Sequence, residues 1–491
     1  MQDTIPHWLS KQADISPNCA AIQYANGYQI TFQELKEQSQ MCAKKLATWG
    51  VKEGSHVAVL STNKQAMITA IHAISYLKAV VVLLNTRLTN EELTYQIKDA
   101  DASFLIYADE LKVKAVQIPC LNKAVFEEID NYHEHADIVL TTEIQLNTPF
   151  SIMYTSGTTG SPKGVIHTYG NHWWSAIGSA LNLGIHSDDK WLAALPIFHV
   201  SGLSILIRSV VYGMSVYLLE KFDKTSVQKA IMHEGVTIVS VVTVMLQQLL
   251  EELGTDRYPT SLRCVLLGGG PAPRPLLEQA KEMNVPVFQS FGMTETASQI
   301  VTLSAGDALQ KVGSAGKPLF PAQLMIKDPD HSGVGEICVK GPMVTSGYYK
   351  KREATNKAIQ GGWLATGDLG YLDDEGFLYV VERRHDLIIS GGENIYPSEI
   401  ESALAGHPAI KEVGVTGISD TKWGEVPIAF IVTKYRLTLQ EIMSYLDEHV
   451  ASYKQPKEVY EVDALPRNAS NKLVRSHLKQ IRGKEGCKQL R

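Results

Sequence analysis

Residues 154–164 read YTSGTTGSPKG, a stretch of hydroxyls, glycines and one lysine with almost nothing to bury. Glycine lets a backbone approach a ligand closely and adopt positive φ. Successive N–H groups and hydroxyls can then surround phosphate oxygens, and Lys163 adds a mobile cation. The run SIMYT (151–155) ahead of it reads as a strand, so the segment is a strand-end loop suited to phosphate. It is not a GxxxxGK[ST] loop, because Gly164 follows Lys163. A flexible linker is the competing reading, and the direct succession of TSGTTG and PKG weighs against it.

Four other segments carry candidate chemistry. FQSFGMTETA (288–297) sets Glu295, a hard carboxylate suited to Mg²⁺, beside the Thr294 hydroxyl. GGGPAP (268–273) allows a flat ligand to lie against backbone. TGD ends in Asp368, which standing alone reads as a turn residue. LPRNASNKL (465–473) carries Lys472, one lysine among many near a basic carboxy-terminal stretch.

Taken together these segments resemble the signatures of the adenylate-forming superfamily, which includes acyl-CoA synthetases, peptide-synthetase adenylation domains and firefly-type luciferases. The phosphate loop, the aromatic-Gly-x-Thr-Glu segment, TGD with the hinge segment ERRHD, and the terminal lysine motif follow the family's order from roughly residue 20 to 480. Asn471 stands where a glycine is usual. With LLGGGPAPRPLLE and SGGENIYPSEIES, the resemblance narrows to acid–CoA ligases for an aromatic acid bearing a second carboxylate.

The resemblance implies roles. Thr155, Ser156, Gly157, Thr158, Thr159, Gly160 and Lys163 cradle the β- and γ-phosphates of ATP. Gly268, Gly269, Gly270, Ser290, Phe291, Gly292 and Met293 receive the nucleotide, with Phe291 as a flat face for adenine. Glu295 holds Mg²⁺, Thr294 reaches the α-phosphate, Asp368 accepts the ribose hydroxyls, and Arg383 assists. Lys472 is the catalytic lysine of adenylation. His199 and Ser201 in LPIFHVSGLS contact the acid, although His199 also reads as a packing or gating residue. Arg208 reads either as a substrate partner or as a core-edge residue held by a neighbour. Ser390, Gly391 and Gly392 face coenzyme A after the small domain turns about Arg384–His385–Asp386. The rivals are a medium-chain or aryl acid–CoA ligase, an adenylation enzyme loading a carrier protein, and a nucleotide-binding sensor without catalysis.

Positioning these groups requires rigid strands. HVAVLST, AVVVLLN, ASFLIY, SVYLLE, VTIVSVV and RCVLLGGG read as buried strands alternating with helical spacing, which predicts α/β layers with largely parallel sheets. GEICVKG and GFLYVVE, flanked by turn residues, predict a smaller antiparallel or barrel-like unit. TLQEIMSYLDEHV places Leu439, Ile442, Met443, Leu446 and Val450 on one helical face. The expected layout is a large α/β domain over 1–384 and a small, mobile α+β domain over 385–491. A chain of 491 residues exceeds one core in any case.

A net charge of −6 argues against nucleic-acid binding by general electrostatics. The basic run KLVRSHLKQIRGKEGCKQLR reads as a solvated tail. Six scattered cysteines without a CxxC pair fit reduced thiols. No secretory leader or membrane-spanning run is visible, since LSILIRSVVYGMSVYLL is broken by Arg208. A cytoplasmic enzyme using a small carboxylic acid, ATP and coenzyme A is expected, with homo-oligomerisation left open.

Overall fold

The computed structural model describes every residue except 1–2, 133–135, 156–161, 270–271, 305–306, 308–309, 384–385, 391–392, 422, 451, 469–472 and 491. Two mixed sheets dominate the amino-terminal part. One runs, in spatial order, Gly347–Tyr348, Lys163–Thr168, Pro149–Thr155, Val80–Leu84, His56–Leu60, Phe104–Tyr107 and Asn122–Val125. Its last five strands are parallel, and the first two pair antiparallel at the edge. The other is built on a parallel block of Val287–Met293, Cys264–Leu267, Ile238–Val241, Lys190–Ala193, Ser215–Leu218 and Ala20–Gln23.

The unbroken apolar runs have a simple cause. Alternate residues of a strand point to opposite faces, and here both faces are covered. Val57, Val59, Val81 and Leu83 enter a central apolar layer, whereas Ala58, Leu60, Val80, Val82 and Leu84 pack on the far side. In the second sheet Trp191, Ala193 and Val216 face that same central layer, and Leu192, Ala194 and Tyr217 face away. Helices Phe32–Thr48 and Gln65–Tyr76 contribute to the shared layer, the second almost wholly buried. Truncating one of these core side chains to alanine costs about 2–5 kcal/mol.

Strands Gln323–Lys327, Gly335–Lys340, Trp363–Leu372 and Leu378–Arg383 form the antiparallel unit that GEICVKG and GFLYVVE predict. The small carboxy-terminal domain is a six-stranded sheet with helices Pro397–Ala405, Leu439–Asp447 and Arg475–Ile481. In the second helix Ile442 and Leu446 are buried as the spacing predicts. The basic carboxy-terminal run is not a solvated tail. Leu478 is fully buried, Cys487–Gln489 pairs antiparallel with Glu458–Val462, and Leu490 closes the core. Its few apolar residues fall where a helix and a strand each need one anchor, and the surrounding charges face water. All six cysteines are free. Among the described residues no helix is long and apolar enough to cross a membrane.

Candidate functional site

Ligands of open α/β sheets bind beyond the carboxyl ends of the strands, and Thr155 and Gly268 stand at two such ends. Thr155 ends its strand directly opposite Lys163 in the antiparallel register, so the chain is held on either side of the segment expected to bind phosphate. Ser156, Gly157, Thr158, Thr159 and Gly160 lie outside the described residues. Gly268 follows Cys264–Leu267, and a Cβ there would stand 3.1 Å from Ser290 Oγ, which donates to Leu267 O at 3.2 Å. Gly269 has φ +87° and Gly270 is outside the described residues. At Gly292 a Cβ would meet Ser298 O at 2.1 Å, so only glycine fits. Phe291 belongs to the core of the antiparallel unit with Ile300, Val301 and Leu378, and 9% of it remains exposed. Met293 is half-buried beside the same core.

The next turn, Thr294–Thr296, leads into two non-glycine residues with positive φ, Ala297 at 52° and Ser298 at 117°. Such backbone persists only where its surroundings over-determine it. They do so here. Thr345 N donates to Glu295 O at 2.8 Å, Met293 N donates to Thr296 Oγ1 at 2.9 Å, and His167 Nε2 donates to Thr294 O at 2.6 Å. Glu295 is 5% exposed, and its Oε1 accepts from Tyr348 Oη at 2.9 Å. Lys163 Nζ sits 5.1 Å from the centre of the same tyrosine ring. Tyr348 was not among the residues that the sequence singles out.

Behind Thr294 runs a buried chain. A carbonyl only accepts, so His167 carries its proton on Nε2 and its Nδ1 accepts from Ser151 Oγ at 3.3 Å. Ser151 Oγ in turn accepts from His172 Nε2 at 3.1 Å. Burial pushes His167 down to about 4 and His172 well below its ordinary value. It also lowers His7 to about 3 and His72 to about 4. The unfolded chain binds protons at these groups near pH 6.5 and the folded chain does not. Stability is therefore fully present above pH ~6.5 and is lost as pH falls towards 4, by about 1.4 kcal/mol per unit for each histidine. Urea midpoints measured between pH 7.5 and 4.5 should fall in that window, and His167→Gln should make the slope shallower.

Asp368, 8% exposed, lies in Trp363–Leu372 opposite Arg383 in the register, and its N–H donates to Thr366 Oγ1 at 3.1 Å. His199 caps helix Val200–Tyr212 at its amino end with its ring against Phe198, and Ser201 is half-buried in the first turn. Gly202 must be glycine, because a Cβ would meet Pro196 O at 2.3 Å. Ser390 ends strand Ile388–Ser390 in the small domain. Gly391, Gly392 and Lys472 lie outside the described residues.

Arg208 is the less expected feature. It is 1% exposed, lies over the Trp191 ring with 5.0 Å between guanidinium and ring centre, and reaches Ser298 Oγ at 3.4 Å and Gln299 Oε1 at 3.5 Å. Its Nε finds no hydrogen-bond partner among the described residues, and no carboxylate among them pairs with it. Burial lowers its hold on the proton, but a guanidinium remains charged at neutral pH. Ser201 and Arg208 are seven residues apart, two turns along one helix, and so share a face.

No group of three or more His, Cys, Asp or Glu suited to a metal occurs among the described residues. A single carboxylate such as that of Glu295 nevertheless suits Mg²⁺, which keeps waters and takes phosphate oxygens alongside one or two carboxylates.

Residues 9–349 match the AMP-binding enzyme family and residues 399–472 match the AMP-binding enzyme C-terminal domain. The chain belongs to the AMP-binding enzyme family. It is 55% identical to the 2-succinylbenzoate–CoA ligase of Oceanobacillus iheyensis over 97% of this chain and 100% of that one. Among solved structures it resembles o-succinylbenzoate CoA synthetase from Bacillus subtilis, at 46% identity. The complex of that synthetase with the acyl-adenylate intermediate OSB-AMP superposes with a TM-score of 0.93, covering 98% of this chain and 99% of that chain. Its complex with ATP and magnesium ion gives 0.90 over 97% and 100%. A double mutant bound with the product analogue OSB-NCoA gives 0.76 over 99% and 100%.

Proposed function

We propose that this chain is a 2-succinylbenzoate–CoA ligase that converts its acid first to an acyl-adenylate and then to a thioester. A carboxylate is a poor electrophile, because its oxygen cannot leave. Attack of the acid on the α-phosphorus of ATP releases pyrophosphate and installs AMP as the leaving group. The thiol of coenzyme A then displaces AMP.

The first step brings two anions together, so the site must supply positive charge and fixed dipoles. Lys163 and the hydroxyl-and-glycine loop hold the β- and γ-phosphates, Thr294 faces the α-phosphate, and Asp368 takes the ribose hydroxyls with Arg383 beside it. Glu295 would hold Mg²⁺, which neutralises polyphosphate charge when bound. Lys472 bridges the acid and the α-phosphate. His199 and Ser201 line the path of the acid.

One observation carries the class of acid: Arg208, buried in the helix that begins at His199, without a carboxylate partner among the described residues. An unpaired buried charge is costly, and the second carboxylate of a dicarboxylic acid offsets that cost.

The two steps need different groups at one centre, which the mobile small domain supplies. We place the boundary after residue 384 and the pivot at Arg384–His385–Asp386. What supports this reading is that the B. subtilis synthetase superposes on this chain with a TM-score of 0.93 in its OSB-AMP complex and of 0.76 in the OSB-NCoA complex of a double mutant. Rotation would bring Ser390, Gly391 and Gly392 towards coenzyme A. ATP and coenzyme A are cytoplasmic pools, and the cytoplasm is the compartment we assign.

The test is magnesium-dependent exchange of labelled pyrophosphate into ATP, followed by thioester formation on adding coenzyme A. Exchange should require 2-succinylbenzoate and be weak with benzoate or a medium-chain acid. Equal exchange with all three acids would replace the assignment by a broad acid–CoA ligase.

A further inference from the structure

Four elements meet around Arg208. It comes from helix Val200–Tyr212, Ser298 and Gln299 from strand Ser298–Thr302, Trp191 from strand Lys190–Ala193, and Ser179 from helix Tyr169–Leu183. Gln299 is 4% exposed and Ser179 is fully buried. The Gln299 amide has one orientation open to it. A guanidinium only donates, so the amide oxygen faces Arg208, and Oε1 stands 3.5 Å from Nη2. The other end of the amide, Nε2, donates to Ser179 Oγ at 3.3 Å. The Trp191 ring against the guanidinium is itself pinned, since its Nε1 donates to Ser240 Oγ at 2.9 Å. The Tyr212 hydroxyl also reaches Arg208, and burial keeps it protonated. Ring, hydroxyls and amide are all neutral. Opposite Gln299 in the register lies Gly292, so close that a Cβ on the glycine would meet Gln299 Cα at 2.7 Å.

We propose that Gln299 is a specificity-determining positioning residue: its amide oxygen, turned by Ser179, orients the Arg208 guanidinium against Trp191 without neutralising it, which reserves the charge for the second carboxylate of the acid. This rests on the reading of Arg208 as the partner of that carboxylate. A pair made by two parallel hydrogen bonds depends on the plane of the guanidinium. An arginine that is not held in that plane gives up rotamer entropy whenever it binds. A glutamate in place of Gln299 would hold the guanidinium as well, but its own carboxylate would take the charge that the acid needs. A hydrocarbon would leave the charge and lose the orientation. The amide combines a neutral acceptor with a second polar end by which Ser179 fixes it.

Two variants of nearly the same shape separate these effects. Gln299→Met removes the amide, whereas Gln299→Glu supplies an internal counter-ion. Values of kcat/KM for 2-succinylbenzoate and for benzoate are measured in the parent, in both variants, in Arg208→Leu, and in Gln299→Met combined with Arg208→Leu. In Gln299→Met the preference for 2-succinylbenzoate should fall about three- to tenfold, the loss of one long hydrogen bond. In Gln299→Glu it should fall about a hundredfold, because the buried charge is already paired, and the loss should appear as a raised KM for 2-succinylbenzoate. Without Arg208, Gln299→Met should alter the preference no further, as expected of two residues that act as one. If Arg208→Leu abolishes the preference but Gln299→Glu keeps it, or if the Gln299→Met effect persists without Arg208, the role of Gln299 is overturned and the reading of Arg208 stands. A parent without the preference, or a preference that survives Arg208→Leu, overturns both.

Discussion

Lys472→Ala should slow acyl-adenylate formation by ~10²–10³, the usual cost of removing one preorganised donor from a transition state. Transfer of a supplied acyl-adenylate to coenzyme A should stay near the parent rate. The separation follows from charge. Only the first step drives a carboxylate against a phosphate, so only there is a cation between them indispensable. The structure adds a reason why Lys472, itself outside the described residues, should act with the small domain as a unit. Its neighbour Leu473 bridges to Arg467. Arg475, three residues beyond Lys472, pairs with Glu401 at 2.6 Å and with Asp386, the last residue of the proposed pivot, at 3.3 Å. Whatever turns Asp386 therefore carries the lysine segment with it. Single-turnover kinetics of the two half-reactions decide the matter, and equal losses in both would sink the division of labour.

Much of this architecture is legible from strand composition, because both faces of the parallel strands are covered and leave continuous apolar runs such as Val80–Leu84. The residues at the strand ends are legible for a different reason: glycine and hydroxyl clusters have little to do in a core. What stays hidden is whatever depends on contacts distant in sequence. Tyr348 sits in SGYYKK beside a second tyrosine, and nothing local distinguishes the one that meets Glu295 from 53 residues away. Nothing local marks His167, in a strand, or His172, in the following helix, until Ser151 joins them. The carboxy-terminal run misleads because two buried leucines, Leu478 and Leu490, are outnumbered by charges that face solvent. Phe291 shows a subtler limit, since an aromatic expected to face a ligand packs in the core of the antiparallel unit.

Arg208→Leu should separate stability from activity in opposite directions. Replacing an unpaired buried charge with an apolar side chain of similar length is commonly neutral or stabilising. The thermal midpoint should therefore hold or rise, although a fully buried residue has been changed. Activity should move the other way. Removing the partner of a buried charge pair costs about 2–5 kcal/mol, or roughly 30-fold to 5,000-fold in kcat/KM, but only for an acid that carries the second carboxylate. Benzoate, already a weak substrate, should be little changed, so the preference between the two acids should largely vanish. Arg208→Lys should fall between, because an ammonium keeps the charge and loses the planar fork that meets a carboxylate with two hydrogen bonds. Geometry favours this outcome. Arg208 shares a helix face with Ser201 two turns nearer the amino end, and side chains on a helix lean in that direction. A variant that loses stability and treats both acids alike would return Arg208 to the core and remove the selectivity argument with it.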